Sequence, residues 1–191
     1  MDARKLQQAY LRAMYTGAPA TVSSEEDAFF IAQSSAERLI VEHAARIRNL
    51  RTVLHDDMRL LKKVLDKASL LPHVKAYAES DLFWLHRGRT LIEDFCLYFV
   101  EHTSATPVHK LLACIEGVCS GLSIKTAVAS PWDEHDMQQR GDVTTETFLA
   151  PFSLPFKQIF DSKSDFQPTK QPVTCVIRKS GAKINVKFIK D

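Results

Sequence analysis

Three basic side chains suited to phosphate chemistry lie close together in the stretch RNLRTVLHDD, residues 48–57. Arg48 and Arg51 precede His55 by seven and four residues. These separations are about two turns and one turn of an α-helix, so all three share one helix face. A histidine can transfer a proton near neutral pH, and an arginine can hold charge that develops on a phosphate. The pair Arg48 and His55 is therefore a candidate for RNA cleavage without a metal ion.

The spacing of Arg48 and His55, with Asn49 directly after the arginine, resembles the motif of the HEPN ribonucleases. Those proteins are helical bundles that dimerise to bring two such pairs together. The resemblance implies a dimeric, HEPN-like ribonuclease with Arg48 and His55 in a shared active site. The other interpretation of these residues is a solvated helix face, since the neighbouring Asp56 and Asp57 would repel a phosphate.

No cofactor or metal site is predicted from the sequence. It contains no H-E-x-x-H, no P-loop, no G-x-S-x-G and no G-x-G-x-x-G. The cysteines form no C-x-x-C pair and are expected to be reduced, buried thiols of a cytoplasmic protein. They are Cys96, Cys114, Cys119 and Cys175. The missing motifs favour a non-enzymatic protein.

One long helix is expected to carry the basic cluster. Residues 24–68 contain neither proline nor glycine, and apolar residues recur there in steps of three and four. Leu50 and Leu54 lie on this apolar seam, and His43 is a polar residue within it. A helix of that length needs a partner along its seam. That partner is either another part of the chain or a second copy. The pattern favours a homo-oligomer, a complex with another protein, or both, with Leu50 and Leu54 in the interface.

Further helices are predicted over residues 73–102, after Pro72, and from Thr106-Pro107 to a stop at Gly121. A short helix is expected over 130–141. Short turns between helices indicate an antiparallel arrangement. The predicted fold is mainly α, an antiparallel helical bundle with a long helix in its N-terminal half and a small C-terminal β-hairpin. The predicted division is a bundle over 1–125 and a region over 126–191 that packs on it.

Alternation of apolar and polar residues on both sides of Ser180-Gly181 predicts the C-terminal hairpin. It places Arg178, Lys183 and Lys187 on one face. Residues 162–191 carry seven basic and two acidic residues, or +5, whereas the whole chain carries +2. A basic ribbon of this kind can lie along a nucleic-acid backbone. The alternative is that lysines on an edge strand prevent sheets from pairing with one another.

Phenylalanines recur at steps of four from 148 to 160, where Pro151 and Pro155 interrupt a continuous helix. Phe152 and Phe156 are candidates for core packing or for docking another protein. No stretch has the length and apolarity of a membrane span, and the first residues lack the apolar region of a secretory signal. The sequence thus favours a non-enzymatic adaptor, regulator or complex subunit, with RNA binding or a HEPN-like ribonuclease as the alternative.

Overall fold

The computed structural model describes residues 3–17, 36–84, 89–124, 136–140, 142–161 and 168–189. A mostly helical chain with a smaller β part is confirmed, but the sheet has four strands instead of two. Its arrangement as one antiparallel bundle stays a prediction. The described helices are α1 (Ala3–Thr16), α2 (Ala36–Asp57), α3 (Lys67–Glu79), α4 (Asp81–Trp84), α5 (Leu91–His102), α6 (Pro107–Ile124) and α7 (Phe156–Phe160). The strands are β1 (Asp136–Arg140), β2 (Val143–Ala150), β3 (Val173–Ser180) and β4 (Lys183–Ile189).

The chain falls into two compact units. The first comprises Met1–Val53 and Lys67–Leu85, and the second comprises Leu54–Asp66 and His86–Asp191. The division between 1–125 and 126–191 inferred from the sequence stays a prediction.

In the first unit, α1 ends against the ring of His43. Gly17 follows the helix with a φ of 68°, and its N–H donates to the carbonyl of Ala13 at 2.9 Å. This left-handed conformation costs glycine little and is common directly after a helix. His43 Nδ1 lies 3.3 Å from the carbonyl oxygen of Met14. The polar residue of the predicted seam therefore contacts the end of a neighbouring helix.

The second unit begins with the last turn of α2, which stops well before the predicted end at residue 68. The N–H groups of Arg59, Leu60 and Leu61 do not continue the helix. They donate instead to the side-chain carboxyl of Glu116 on α6, over 2.8, 2.5 and 3.3 Å respectively. Leu61–Lys63 then forms a short 3-10 helix. The predicted continuous helix is wrong here because a distant side chain takes the backbone donors it would need.

The helix predicted over 73–102 is also wrong as a single element. α3 starts at Lys67, runs through Pro72 and ends at Glu79, and α5 is a separate helix. Thr90 caps α5: its hydroxyl accepts from the Glu93 N–H at 3.0 Å, and the Glu93 carboxyl accepts from the Thr90 N–H at 3.2 Å. This reciprocal pairing is a capping box, which fixes a helix start.

Gly121 does not stop α6, which begins at Pro107 as predicted and continues to Ile124. A Cβ atom on Gly121 would lie 2.7 Å from a carboxyl oxygen of Glu93. Nearby, the hydroxyls of Thr90 and Ser120 are 2.8 Å apart. Glycine at this position leaves room for the Glu93 carboxyl, which a side chain would displace from the capped start of α5.

The four strands form an antiparallel sheet in the order β1-β2-β3-β4. The predicted hairpin is present as β3 and β4. The short helix predicted over 130–141 is wrong for 136–140, which is strand β1, and its remaining residues lie outside those the structure describes. β2 and β3 pack one face on α6. That inner face buries Glu146, Phe148, Ala150, Val173, Cys175 and Ile177.

We expect Glu116→Ala to lower the free energy of unfolding of the second unit by about 3 kcal/mol, since three backbone donors lose their acceptor. Glu116 is only 6% exposed, so water reaches the site poorly. Denaturant unfolding measures the loss. Glu101→Ala is the control, because Glu101 is exposed on α5 and its ion pair, with His102, is also exposed. Equal losses in the two variants would contradict the role of Glu116.

The stability of the second unit should also depend on pH through Glu116. Burial raises the pKa of this carboxyl group above its usual value, and the three N–H donors oppose the rise only in part. The unfolded chain then ionises at a lower pH than the folded chain, so stability falls as the pH rises from about 4.5 to the raised pKa. Glu116→Gln should lack this component. Unfolding of both proteins from about pH 4 to about pH 8 tests it, and a constant difference between them would contradict it.

Candidate functional site

The face of the sheet directed away from α6 is the candidate site, and we call it the outer face. Side chains alternate between the two faces along each strand, and the register aligns the outer ones in rows across the sheet. Four rows succeed one another along the strands. They are Leu149, Thr174 and Ile189; Asp136, Thr147, Val176 and Lys187; Gln138, Thr145, Arg178 and Asn185; and Arg140, Val143, Ser180 and Lys183.

Cations lie in three of the four rows and dominate the two rows nearest the β3–β4 turn. Arg140, Arg178, Lys183 and Lys187 are all exposed, and none forms an ion pair or a hydrogen bond with another described side chain. Asp136 is the one acidic residue among the described outer-face residues, so the face carries +3. Neighbouring same-face residues are about 7 Å apart along a strand and strands are about 5 Å apart, so the four cations act on one common surface.

The remaining row is apolar and exposed. Leu149 and Ile189 are 67% and 49% exposed, and they flank Thr174 on the central strand β3. Val176 extends this apolar area into the next row and is half-buried. The outer face therefore has an apolar end and a cationic end. Such a surface can hold a ligand with matching apolar and anionic parts.

The structure places Arg178, Lys183 and Lys187 together on the outer face, in agreement with the alternation in the sequence. The sequence does not reveal Arg140, which falls in the predicted short helix, or Leu149, which falls within the predicted phenylalanine series. The segment VTTETFLA does carry a strand signal, because four of its eight residues are β-branched. A nucleic-acid role for the three cations stays a prediction.

The candidate catalytic residues lie on α2. Arg48 is exposed, and Arg51 is half-buried with its Nε atom buried and without a hydrogen-bond partner among the described residues. His55 is half-buried, and its Nδ1 atom lies 3.3 Å from a carboxyl oxygen of Asp56. A carboxylate beside the histidine disfavours an approaching phosphate. The assignment of Arg48 and His55 to a ribonuclease site stays a prediction.

The candidate interaction residues of the sequence are mainly covered within the single chain. Leu54 is fully buried and Leu50 is nearly so. Phe152 is half-buried, and the ring of Phe156 stacks on Phe188 with centroids 5.3 Å apart. Substitutions of Leu50 or Leu54 would disturb core packing before they reported on self-association. Their role in an oligomer stays a prediction.

The cysteines offer no reactive site. All four are free thiols, and burial is the main cause that raises each thiol pKa, to about 12 for Cys119 and for Cys175. They therefore stay protonated near neutral pH and are poor nucleophiles. In the part of the chain that the structure describes, no group of three histidine, cysteine or acidic residues has an arrangement suited to a metal ion.

Comparison of this chain with protein-family models, curated proteins and solved structures finds no match. None of the described helices is both long and apolar enough to cross a membrane. The function of the chain must therefore be inferred from its own surfaces.

The purified chain is expected to leave RNA intact in a buffer with a metal chelator. The reason is that the Asp56 carboxylate lies beside His55 and repels a phosphate. Gel electrophoresis of a labelled RNA measures this. Cleavage that disappears in His55→Ala, but persists in the control His102→Ala, would contradict the expectation and support the ribonuclease. His102 is an exposed histidine outside α2.

Proposed function

We propose that this chain is a non-enzymatic interaction protein that docks an acidic segment of a partner protein on the outer face of its sheet. The observation that carries the proposal is the combination of exposed Leu149 and Ile189 with four exposed cations on one face. The helical parts of the chain then act as a scaffold, and the site performs no bond chemistry.

Edge protection alone does not account for these cations. Lysines on β4 keep an edge strand from pairing with another sheet, and Lys183 and Lys187 suit that role. Arg178, however, lies on β3, which is bonded on both sides by β2 and β4. An exposed cation on a central strand has no edge to protect. A surface that attracts an anionic partner explains all four cations together.

Nucleic acid is the second candidate partner, and Arg178 favours it because a central, exposed arginine can hold a phosphate. It explains the cationic rows of the outer face. It leaves the exposed row with Leu149 and Ile189 without a role, since the described outer face carries no aromatic side chain on which a base could stack. The protein partner is therefore preferred.

The full chain should bind a fluorescein-labelled glutamate polymer of about 20 residues, with an affinity that falls as salt is added. Fluorescence anisotropy measures the binding. The double variant Arg178→Glu with Lys187→Glu should weaken it by about tenfold or more, because it turns attraction into repulsion at the centre of the face.

The matched control is Lys63→Glu with Lys157→Glu. Both lysines are exposed, belong to the second unit and lie off the outer face, so the net charge changes equally. This control should retain most of the binding. Equal losses in the two double variants would show attraction by net charge only, and absence of binding by the unaltered chain would remove the proposed function.

A further inference from the structure

We infer that the segment docked on the outer face is an amphipathic α-helix of about four turns that lies along the strands. Its apolar turns contact Leu149 and Ile189, and its acidic turns contact Arg178 and the neighbouring cations. This inference rests on the proposed function and adds the conformation, length and polarity of the partner segment.

The dimensions of the face suit a helix. The four rows extend about 20 Å along the strands, the length of about 14 helical residues. The sheet is about 14 Å wide between its outermost strands, which accommodates a helix about 10 Å in diameter. The inner face is already covered in this way, because β2 and β3 pack on α6.

The order of the rows sets the pattern that the helix must carry. From one end to the other, the face presents Leu149 with Ile189, then Lys187 with Asp136 at the opposite edge, then Arg178, and finally Arg140 with Lys183. A complementary helix has its leucine-like residues in two turns and its carboxylates in the next two, on the same side. A helix with acidic residues on all sides would leave the apolar row in contact with charge.

The helix dipole adds a direction. The C-terminal end of a helix carries about half of a negative charge, and cations are favourable beside it. The carboxylates in the last turns of the docked helix oppose its own dipole, and cations beside them offset both charges. We therefore place its C-terminus at the end of the face with Arg140 and Lys183, where β3 turns into β4. Its N-terminus lies over Thr174, between Leu149 and Ile189.

A synthetic peptide of about 14 residues tests the inference, with leucines on one side of its first two turns and glutamates on that side of its last two. Anisotropy with the full chain measures affinity, and circular dichroism measures helix formed on binding. Two control peptides have the same length. One has the same composition but distributes leucine and glutamate around the helix, and the other replaces one central residue with proline, which prevents a continuous helix.

The patterned peptide should bind at least about fivefold more tightly than either control, and helix content should rise on binding. Leu149→Ser with Ile189→Ser should remove about tenfold of its affinity while leaving the glutamate polymer bound as before. The apolar control is Ile124→Ser, since Ile124 is an exposed aliphatic residue, at 73%, that lies on α6 and off the outer face. It should leave both affinities unchanged.

Equal affinity for all three peptides, with the glutamate polymer still bound, would overturn the helix while the proposed function stands. Loss of the polymer as well would remove both. Tighter binding of a duplex DNA or a single-stranded RNA than of the patterned peptide, in the same salt, would overturn the inference in favour of a nucleic-acid partner. Insensitivity of the patterned peptide to the change at Leu149 and Ile189 would overturn the predicted register.

Discussion

The carboxyl group of Glu116 accepts hydrogen bonds from three consecutive backbone N–H groups, and the path of the second unit depends on it. Those donors could have prolonged α2 by another turn. Because Glu116 takes them, the helix ends and the following residues stay bound to α6. A buried carboxyl costs free energy unless its oxygens are satisfied, so the pairing also fixes where Glu116 itself can lie. One side chain thus determines both a helix end and the position of the helix that supports the sheet.

The two faces of the sheet differ because α6 covers only one of them. α6 covers one face of β2 and β3, and the polar residue Glu146 is buried there among Phe148, Cys175 and Ile177. The opposite face retains threonines, cations and two exposed aliphatic side chains. An antiparallel sheet often leaves one face to solvent, but such faces are usually polar throughout. The apolar row distinguishes this face from an ordinary solvated face, and it is the reason that we propose a helical partner instead of a polyanion alone.

Local patterns predicted the elements whose stability is local. The β3–β4 hairpin followed from alternation around a turn, and the start of α6 followed from Thr106 and Pro107, where the Thr106 hydroxyl accepts from the His109 N–H. Predictions from the sequence were wrong where a residue distant along the chain determines the local structure. Strand β1 has five polar or weakly apolar residues and is extended because it pairs with β2. The end of α2 depends on Glu116, which lies more than fifty residues away. The part of the outer face formed by β3 and β4 could therefore be predicted from the sequence, and the part formed by β1 and β2 could not.

Two of the four thiols are fully buried, Cys96 on α5 and Cys175 on β3, and their reactivity reports local opening of the second unit. Every cysteine of the chain lies in that unit, and each thiol pKa is raised, so the thiols stay protonated near neutral pH. A thiol-alkylating reagent reacts with the thiolate, so its reaction with Cys96 and Cys175 must wait until a local opening admits water to them. The rate of alkylation under native conditions then reports how often the packing between α5, α6 and β3 loosens. The first unit contains no cysteine and contributes no signal. The alkylation rate therefore reports the dynamics of the second unit alone.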